Sequence, residues 1–400
     1  MQALQGKKII LGITGSIAAY KSIHLLRLLT KAGAEVQVIM TPAAKDFVAP
    51  LTLATLSGKK VLIDMFAEDS WANHVMLGRW ADLMLIVPAS CNSLAKMANG
   101  ICDNLLMAVY LSANCQVAIA PAMDEDMWHH KSTKRNIALL QEYGNKVLPV
   151  GKGALASGLE GDGRVAEPEY ILTWITETYF RAKALSGVKA LVTAGPTHEP
   201  IDPVRFVGNR SSGKMGMALA EALYMQGAEV LLIAGPTDRC PAYAGIRVVS
   251  VQTAAQMYDA CMAGMDAADI IVMNAAVADY TPSQVADQKI KKTGDADMQL
   301  SLVKTKDILQ AMGEQKRANQ FLLGFALETN DGEINAQKKL EQKKLDAVVL
   351  NTLEDAGAGF GFDTNKALVL SKQDKIPLPL QSKQEMAAAI VDYIIAKRHG

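Results

Sequence analysis

Short apolar runs alternate with amphipathic stretches through the first half of the chain. Residues 8–13, 35–40, 83–87, 117–120 and 146–150 read as strands, whereas 18–32 and 93–111 carry apolar positions at helical spacing. Such alternation predicts a mostly parallel sheet covered by helices on both faces, with ligands at the carboxyl ends of the strands. A helical stretch, 171–184, follows GRVAEPEY, and Leu185-Ser186-Gly187 opens a second alternating series. Its strands are predicted at 189–193, 229–234, 270–274, 321–325 and 347–351, with an amphipathic helix over 215–226. A late hairpin, 367–371 with 376–379, turns at a polar tip and precedes a terminal helix from Lys383. The expected fold class is α/β in two domains, 1–186 and 187–400, each with a mostly parallel, Rossmann-like three-layer sheet.

The length of 400 residues suits two cores better than one. The 41 Lys and Arg residues balance 41 Asp and Glu, which excludes a broad attraction to nucleic acid or anionic membrane and leaves only local basic sites. No apolar run reaches the roughly 18 residues needed to span a bilayer, and the start MQALQGKKIILGITGS lacks the apolar core and cleavage site of a signal peptide. A cytoplasmic protein is expected. Five cysteines, at 91, 102, 115, 240 and 261, form no CxxC pair and leave one over, which argues against a disulfide framework or structural zinc and predicts free, mostly buried thiols.

The first strand runs into GITGSIAAYK, where Gly12 and Gly15 permit a tight turn and Ser16 offers a hydroxyl at a helix start. The GxxGS spacing lacks a third glycine, and no acidic residue closes the second strand, so a mononucleotide such as FMN fits better than NAD. An ordinary tight turn is the other reading. PASCNS after the strongest apolar strand and PAMDEDMW after the next place small and polar side chains at the same sheet edge, and His74 lies in NHVMLGRWAD just before that strong strand.

These four elements, in this order, resemble the flavin-dependent cysteine decarboxylases over roughly residues 6–180. The resemblance implies a flavodoxin-like flavoprotein domain, FMN contacts at Gly15, Ser16, Thr41, Ser90, Asn92 and Ser93, and substrate work at His74. It also implies a redox-neutral decarboxylation, in which oxidising the carbon bearing the thiol supplies an electron sink for carboxylate loss and the product is then reduced by the same flavin. Two positions depart from the family: Asp124 stands where PAMN is usual, and Ser157, in the segment GALASGLEGDGR read as flexible, stands where the family has its proton-donating cysteine. A serine hydroxyl is a far weaker acid than a thiol of pKa about 8.5.

In the second half, Leu191-Val192 leads into TAGPTHEPIDPVRFVGNRSSGKMG, a long loop whose Ser211, Ser212 and Gly213 offer donors and whose Arg205 and Lys214 offer charge. No Walker A pattern is present. NAAVADY ends another apolar strand with Asp279, suited to a ribose, base or metal contact. KIKK (289–292) reads either as a solvated surface or as a clamp on a triphosphate. Lys339 and Lys343, four apart, read as exposed helix charge or as a paired phosphate contact.

The order TAGPTxEPxDPVR, NxSSGKMG, AAVADY, KIKK, GFAxET is similar to that of the phosphopantothenate–cysteine ligases, and its fusion behind the flavin half resembles the bacterial bifunctional coenzyme A biosynthesis proteins across essentially all 400 residues. The resemblance implies that CTP, with Mg²⁺, activates the carboxylate of 4′-phosphopantothenate as an acyl cytidylate and that cysteine displaces CMP. It assigns Asn209 to acyl-cytidylate handling, Lys289 to charge stabilisation, and Asn274, Ala275, Asp279, Lys289, Lys306, Asp307, Ile308, Phe325, Lys339 and Lys343 to CTP. No side-chain constellation demands a resident metal, so magnesium is expected to arrive with the triphosphate. Homo-oligomers are implied as well, trimeric through the flavin domains and dimeric through the ligase domains, with small-molecule substrates and neither nucleic acid nor membrane as partner. Asp124 and Ser157 keep open a functional ligase with an impaired or regulatory flavin domain, whereas the missing GxGxxG disfavours an NAD-dependent oxidoreductase.

Overall fold

Five parallel strands organise the first half: β1 (Lys8–Ile13), β2 (Glu35–Met40), β3 (Leu83–Ala89), β4 (Gln116–Pro121) and β5 (Lys146–Val147), in the order β2-β1-β3-β4-β5. Alternate residues of one strand feed opposite layers. Ile9, Leu11 and Ile13 pack into one core, and Ile10 into the other. Leu83, Leu85 and Val87 divide from Met84 and Ile86 in the same way. Burial on both faces explains why these strands read as continuous apolar runs. The computed structural model describes residues 4–67, 70–291, 298–328, 330–352 and 362–399. They fall into two compact units, Gln2–Phe180 and Arg181–Gly400.

The second unit is built on eight strands: β8 (Lys189–Ala194), β9 (Glu229–Ala234), β10 (Arg247–Ser250), β11 (Ile270–Met273), β12 (Phe321–Glu328), β13 (Ala347–Thr352), β14 (Thr364–Ser371) and β15 (Lys375–Ser382). Their order is β10-β9-β8-β11-β12-β13-β14-β15, parallel through β13 and antiparallel for the last two. Both sheets therefore reverse their winding beside their first strand, at β1/β3 and at β8/β11, where a doubly wound sheet opens a crevice. Two small antiparallel ribbons, His198–Pro200 with Phe206–Gly208 and Tyr280–Pro282 with Leu302–Lys304, were not foreseen from the sequence. Each is only three residues a strand, too short for a period to register.

Three expectations are corrected. The helical stretch 93–111 is two helices, Cys91–Asn99 and Leu105–Leu111, because Gly100 takes a left-handed φ of 69° and caps the first. Of the five free thiols only Cys261 is buried, and burial pushes it up to about 12; Cys102 and Cys240 are exposed. Finally, the segment GALASGLEGDGR, read as flexible, belongs to an antiparallel hairpin, β6 (Gly151–Ala154) with β7 (Glu160–Arg164). Among the described residues no helix is long and apolar enough to cross a membrane.

The hairpin is fastened to the PAMDEDMW segment. Met123 donates its backbone N–H to Gly163 O at 3.0 Å, and Gly163 sits at φ 127° with space for no side chain: a Cβ there would lie 2.3 Å from Met123 O. Gly163→Ala is therefore expected to undock the hairpin, at a cost of about 1–3 kcal/mol. Urea unfolding together with limited proteolysis checks this: cleavage should appear within 151–164 while the rest of the first unit resists.

Candidate functional sites at the two switch points

The crevice between β1 and β3 is framed by one buried hydroxyl. Thr14 Oγ1 donates to Pro88 O at 2.8 Å and accepts from Ser90 N at 2.9 Å, tying the ends of the two strands together. Beyond Thr14, Gly15 passes so close to the 42–46 turn that a Cβ would meet the Ala43 side chain at 2.9 Å. Ser16 caps the turn Ile17–Ala19, accepting from Ala18 N at 3.3 Å, which leaves its own proton to give. Ser90 caps helix Cys91–Asn99 and shares a hydroxyl contact of 3.2 Å with Ser93.

A cavity of ≈ 630 Å³ opens here, lined among others by Gly15, Ser16, Ser90, Asp124, Leu155 and Arg164. Buried Lys21 also lines it and is committed to Glu167 at 2.8 Å, whose carboxyl that hydrogen bond holds below its usual value. Asp124 caps the short helix Glu125–His129, its Oδ1 accepting from Glu125 N at 2.8 Å. Ser157 stands exposed in the hairpin turn, one residue past the lining Ala156, with Oγ accepting from Leu159 N at 3.4 Å.

Thr41, Asn92, Ser93 and His74 do not line this cavity. Thr41 follows β2 at the same sheet edge, and its buried hydroxyl has no hydrogen-bond partner among the described residues. His74 is the half-buried first residue of helix His74–Trp80, and Asn92 is exposed. A close-approach glycine, capping hydroxyls and an orphaned buried hydroxyl at one strand edge are the fittings a phosphate-bearing planar ligand such as a flavin requires. The hairpin residues Leu155 and Arg164 were missed by sequence reasoning, since nothing in GALASGLEGDGR announces what it packs against.

The second crevice repeats the brace. Thr193 Oγ1 accepts from Asn274 N at 3.0 Å and Ala275 N at 3.1 Å, and Thr197 Oγ1 accepts from Ala278 N at 3.0 Å. A cleft with two lobes, ≈ 640 and ≈ 430 Å³, lies over these strand ends; Ala275, Val277, Asp279, Phe325 and Lys339 belong to both. The larger lobe brings together Lys306, Asp307, Ile308 and Lys343 with that shared set. The smaller takes Asn209, Asn274 and the Ser211–Ser212–Gly213 loop at the start of helix Lys214–Met225.

Three of the lysines lining the larger lobe make defined contacts. Lys339 donates to Phe325 O at 2.7 Å, and burial holds its ammonium below the ordinary value. Lys343 binds Asp307 Oδ2 and reaches Gln310 Oε1 at 3.0 Å. Burial works to raise the Asp307 carboxyl, yet the Lys343 and Gln310 hydrogen bonds outweigh it and hold the group low. Lys306 lies 4.6 Å above the Tyr258 ring. Asn209 Nδ2 donates to Val277 O at 2.9 Å.

Lys289 is exposed and lines neither lobe. Its neighbour Ile290 is anchored instead, its N–H on Asp202 Oδ2 at 3.1 Å and its carbonyl on Arg205 at 3.0 Å. Lys292 of the same motif and Thr329 of GFALETN lie outside the described residues. Asn351, Asn365 and Lys383 line the smaller lobe and were not anticipated. No group of His, Cys, Asp and Glu able to hold a metal occurs among the described residues.

Sequence relationships agree with this geometry. The Flavoprotein family pattern matches residues 1–180, and that of the DNA/pantothenate metabolism flavoprotein C-terminal domain matches residues 185–397. The chain is 43% identical over 398 residues to the coenzyme A biosynthesis bifunctional protein CoaBC of Vibrio vulnificus, covering 98% of both. It is 48% identical over 359 residues to a cysteine/cysteine sulfinic acid decarboxylase from an unknown prokaryotic organism, covering 88% of this chain and 100% of that one. The solved C-terminal domain of a CoaBC protein aligns with 38% identity and a TM-score of 0.46, covering 54% of this chain and 98% of that one. With both family patterns side by side and a bifunctional relative matched from end to end, the chain belongs to the family of CoaBC bifunctional proteins of coenzyme A biosynthesis.

Proposed function

We propose that the chain catalyses two consecutive steps of coenzyme A biosynthesis. Residues 187–400 join 4′-phosphopantothenate to cysteine at the expense of CTP through an acyl cytidylate. Residues 1–186 decarboxylate the resulting phosphopantothenoylcysteine to 4′-phosphopantetheine. The reading is carried by the pairing of two switch-point clefts, each built for an anionic ligand, in a chain that matches bifunctional relatives over nearly its full length.

In the ligase half, the apolar walls Ile308 and Phe325 suit a base, and the Asp279 carboxylate between the lobes suits ribose hydroxyls or a Mg²⁺ that accompanies the triphosphate. Asn209, held on the 276–277 backbone, presents its remaining amide capacity to the acyl cytidylate. Lys289 lies on an exposed loop whose anchor is the Asp202–Arg205 pair, and it serves the transfer step from there or from a neighbouring subunit.

FMN, when bound, supplies the two-electron chemistry that makes loss of the carboxylate possible. Ser16, Ser90 and the Thr41 hydroxyl are the groups to hold its phosphate and ring edge, and the docked hairpin keeps water out. Lys21 and Arg164 place positive charge on the cavity wall for an anionic substrate, and Ser157 delivers the proton from the hairpin turn. His74 reaches a bound substrate, and Asn92 the flavin, in a homo-oligomer that seats the flavin at a subunit contact. Exposed Ile17 and Tyr20 at the cavity fit that arrangement, and a dimer through the ligase half completes the assembly.

Pyrophosphate release with CTP and with ATP, in the presence of phosphopantothenate and cysteine, tests the ligase. CTP should support turnover and ATP should not. Lys343→Met is expected to raise the KM for CTP by about tenfold while leaving that for phosphopantothenate unchanged, read from initial rates.

The flavin half is tested with phosphopantothenoylcysteine, free cysteine and cysteine sulfinate as competing substrates, because one relative carries the latter two in its name. Mass spectrometry should find 4′-phosphopantetheine from the first. A product two hydrogens short would show that the cycle stops before reduction. Ser157→Cys should speed formation of the saturated product by about tenfold near pH 8, since a thiol is the stronger acid.

A further inference from the structure

We infer that the second unit carries a separate binding site for a small amphipathic carboxylate, one negative charge on an aliphatic body, at the amino ends of β8 and β9. The site shares no lining residue with the two lobes of the ligase cleft, which lie at the carboxyl ends of the same sheet, so it goes beyond the ligase reading and does not rest on it.

The cavity forms where the sheet meets helix Ala254–Met265. β8, β9 and β10 send Leu191, Leu231 and Val249 to this face, and the helix with its following turn answers with Ala260, Ala263, Gly264 and Ala267. Gly264 comes so close that a Cβ there would lie 2.8 Å from Leu231 Cδ2 and 2.9 Å from Leu191 Cδ1. The alanines on either side are too small to cover the outer strands as fully, and Leu231 and Val249 stay half-buried while Leu191 is fully buried. What remains is a cavity of ≈ 660 Å³ with aliphatic walls, a size that suits a small molecule.

The charges around it select the ligand. Lys189 and Glu229, the first residues of β8 and β9, are paired in register, and Arg247 opens β10 level with Leu231. Arg181 closes a further side, held in place by Nε on Tyr224 O at 2.7 Å and Nη2 on Ala228 O at 2.9 Å. All four line the cavity, and none of them makes an ion pair among the described residues. Three cations therefore face one carboxylate across an apolar floor. Lys189, Glu229 and Arg247 are exposed, and a bare anion gains little from such groups in water. An uncharged apolar molecule would leave the cations unanswered. An amphipathic anion satisfies both, its chain on the Leu191–Leu231–Val249 wall and its carboxylate on the Arg247 fork, with Lys189 adding positive charge. Glu229 beside Lys189 favours a single negative charge over a polyphosphate.

Calorimetric titration of the full chain with octanoate, octanol and acetate tests the assignment. Octanoate should bind at least about tenfold more tightly than either of the others, and hexanoate should bind more weakly than octanoate by about threefold for each methylene removed. Arg247→Gln should weaken octanoate about tenfold and leave octanol unchanged. Ala263→Leu, which adds a side chain at the exposed rim of the cavity, should weaken octanoate and octanol alike by about tenfold. An unchanged thermal unfolding midpoint reports an intact fold in both variants. No binding of octanoate, octanoate bound no more tightly than octanol or acetate, or affinities indifferent to both substitutions overturns the proposal.

Discussion

Both sites depend on a buried threonine hydroxyl that closes the end of a sheet's first strand onto the strand across the switch point. Connections diverge on either side of such a point, so the crevice that receives a ligand also strips backbone groups of ladder partners. Thr14 supplies the missing partners with one bond given to Pro88 O and one accepted from Ser90 N. Thr193 does so by accepting from both Asn274 N and Ala275 N. Losing such a hydroxyl strands buried amides at about 1–3 kcal/mol each, and the ligand loops would lose their anchor with it. Gly15, Ser16 and Ser90 in one unit, and Asn274, Ala275 and Asp279 in the other, are placed by these braces before any ligand arrives.

Elements buried on two faces were legible from the chain alone. The strands at 8–13, 35–40 and 229–234 coincide with their expected limits because a run of apolar residues has only one way to be covered on both sides. The helices around Gly100 were fused because a break made by one residue's φ leaves no trace in an apolar period. The hairpin at 151–164 escaped notice because its order comes from docking against the 123–125 backbone rather than from its own composition.

The same division runs through the sites. Gly15, Ser16, Ser90 and Asp307 sit just after strands or at helix starts, where position in sequence dictates position in space. Asn365 and Lys383 reach their lobe only because β14 and β15 turn antiparallel and lead the chain back past it. Lys289 shows a placement the sequence does not reveal: its basic run follows a ligand-bearing strand, and its loop is pinned through Ile290 to the Asp202–Arg205 pair with the lysine on the surface. Arg205 hydrogen bonds and backbone amides hold the Asp202 carboxyl well below the usual carboxylate range, so that anchor persists as an ion pair across ordinary pH.

Asp124 shows how narrow a chemical change can be inside a fixed frame. Its backbone is extended, its Oδ1 caps the helix Glu125–His129, and the hairpin's Gly163 packs on the preceding carbonyl, so neither the chain path nor the cap distinguishes Asp from Asn. Both residues cap through a side-chain oxygen. The difference is confined to the second atom of the group, which is an amide donor in Asn and an acceptor in Asp. A cavity wall with Asn can hydrogen-bond a substrate carboxylate directly. With Asp, the same wall must take a proton, a hydroxyl or a cationic group from its ligand, while Lys21 and Arg164 remain to answer the carboxylate. The fold is therefore indifferent to which atom stands at this point of the cavity wall.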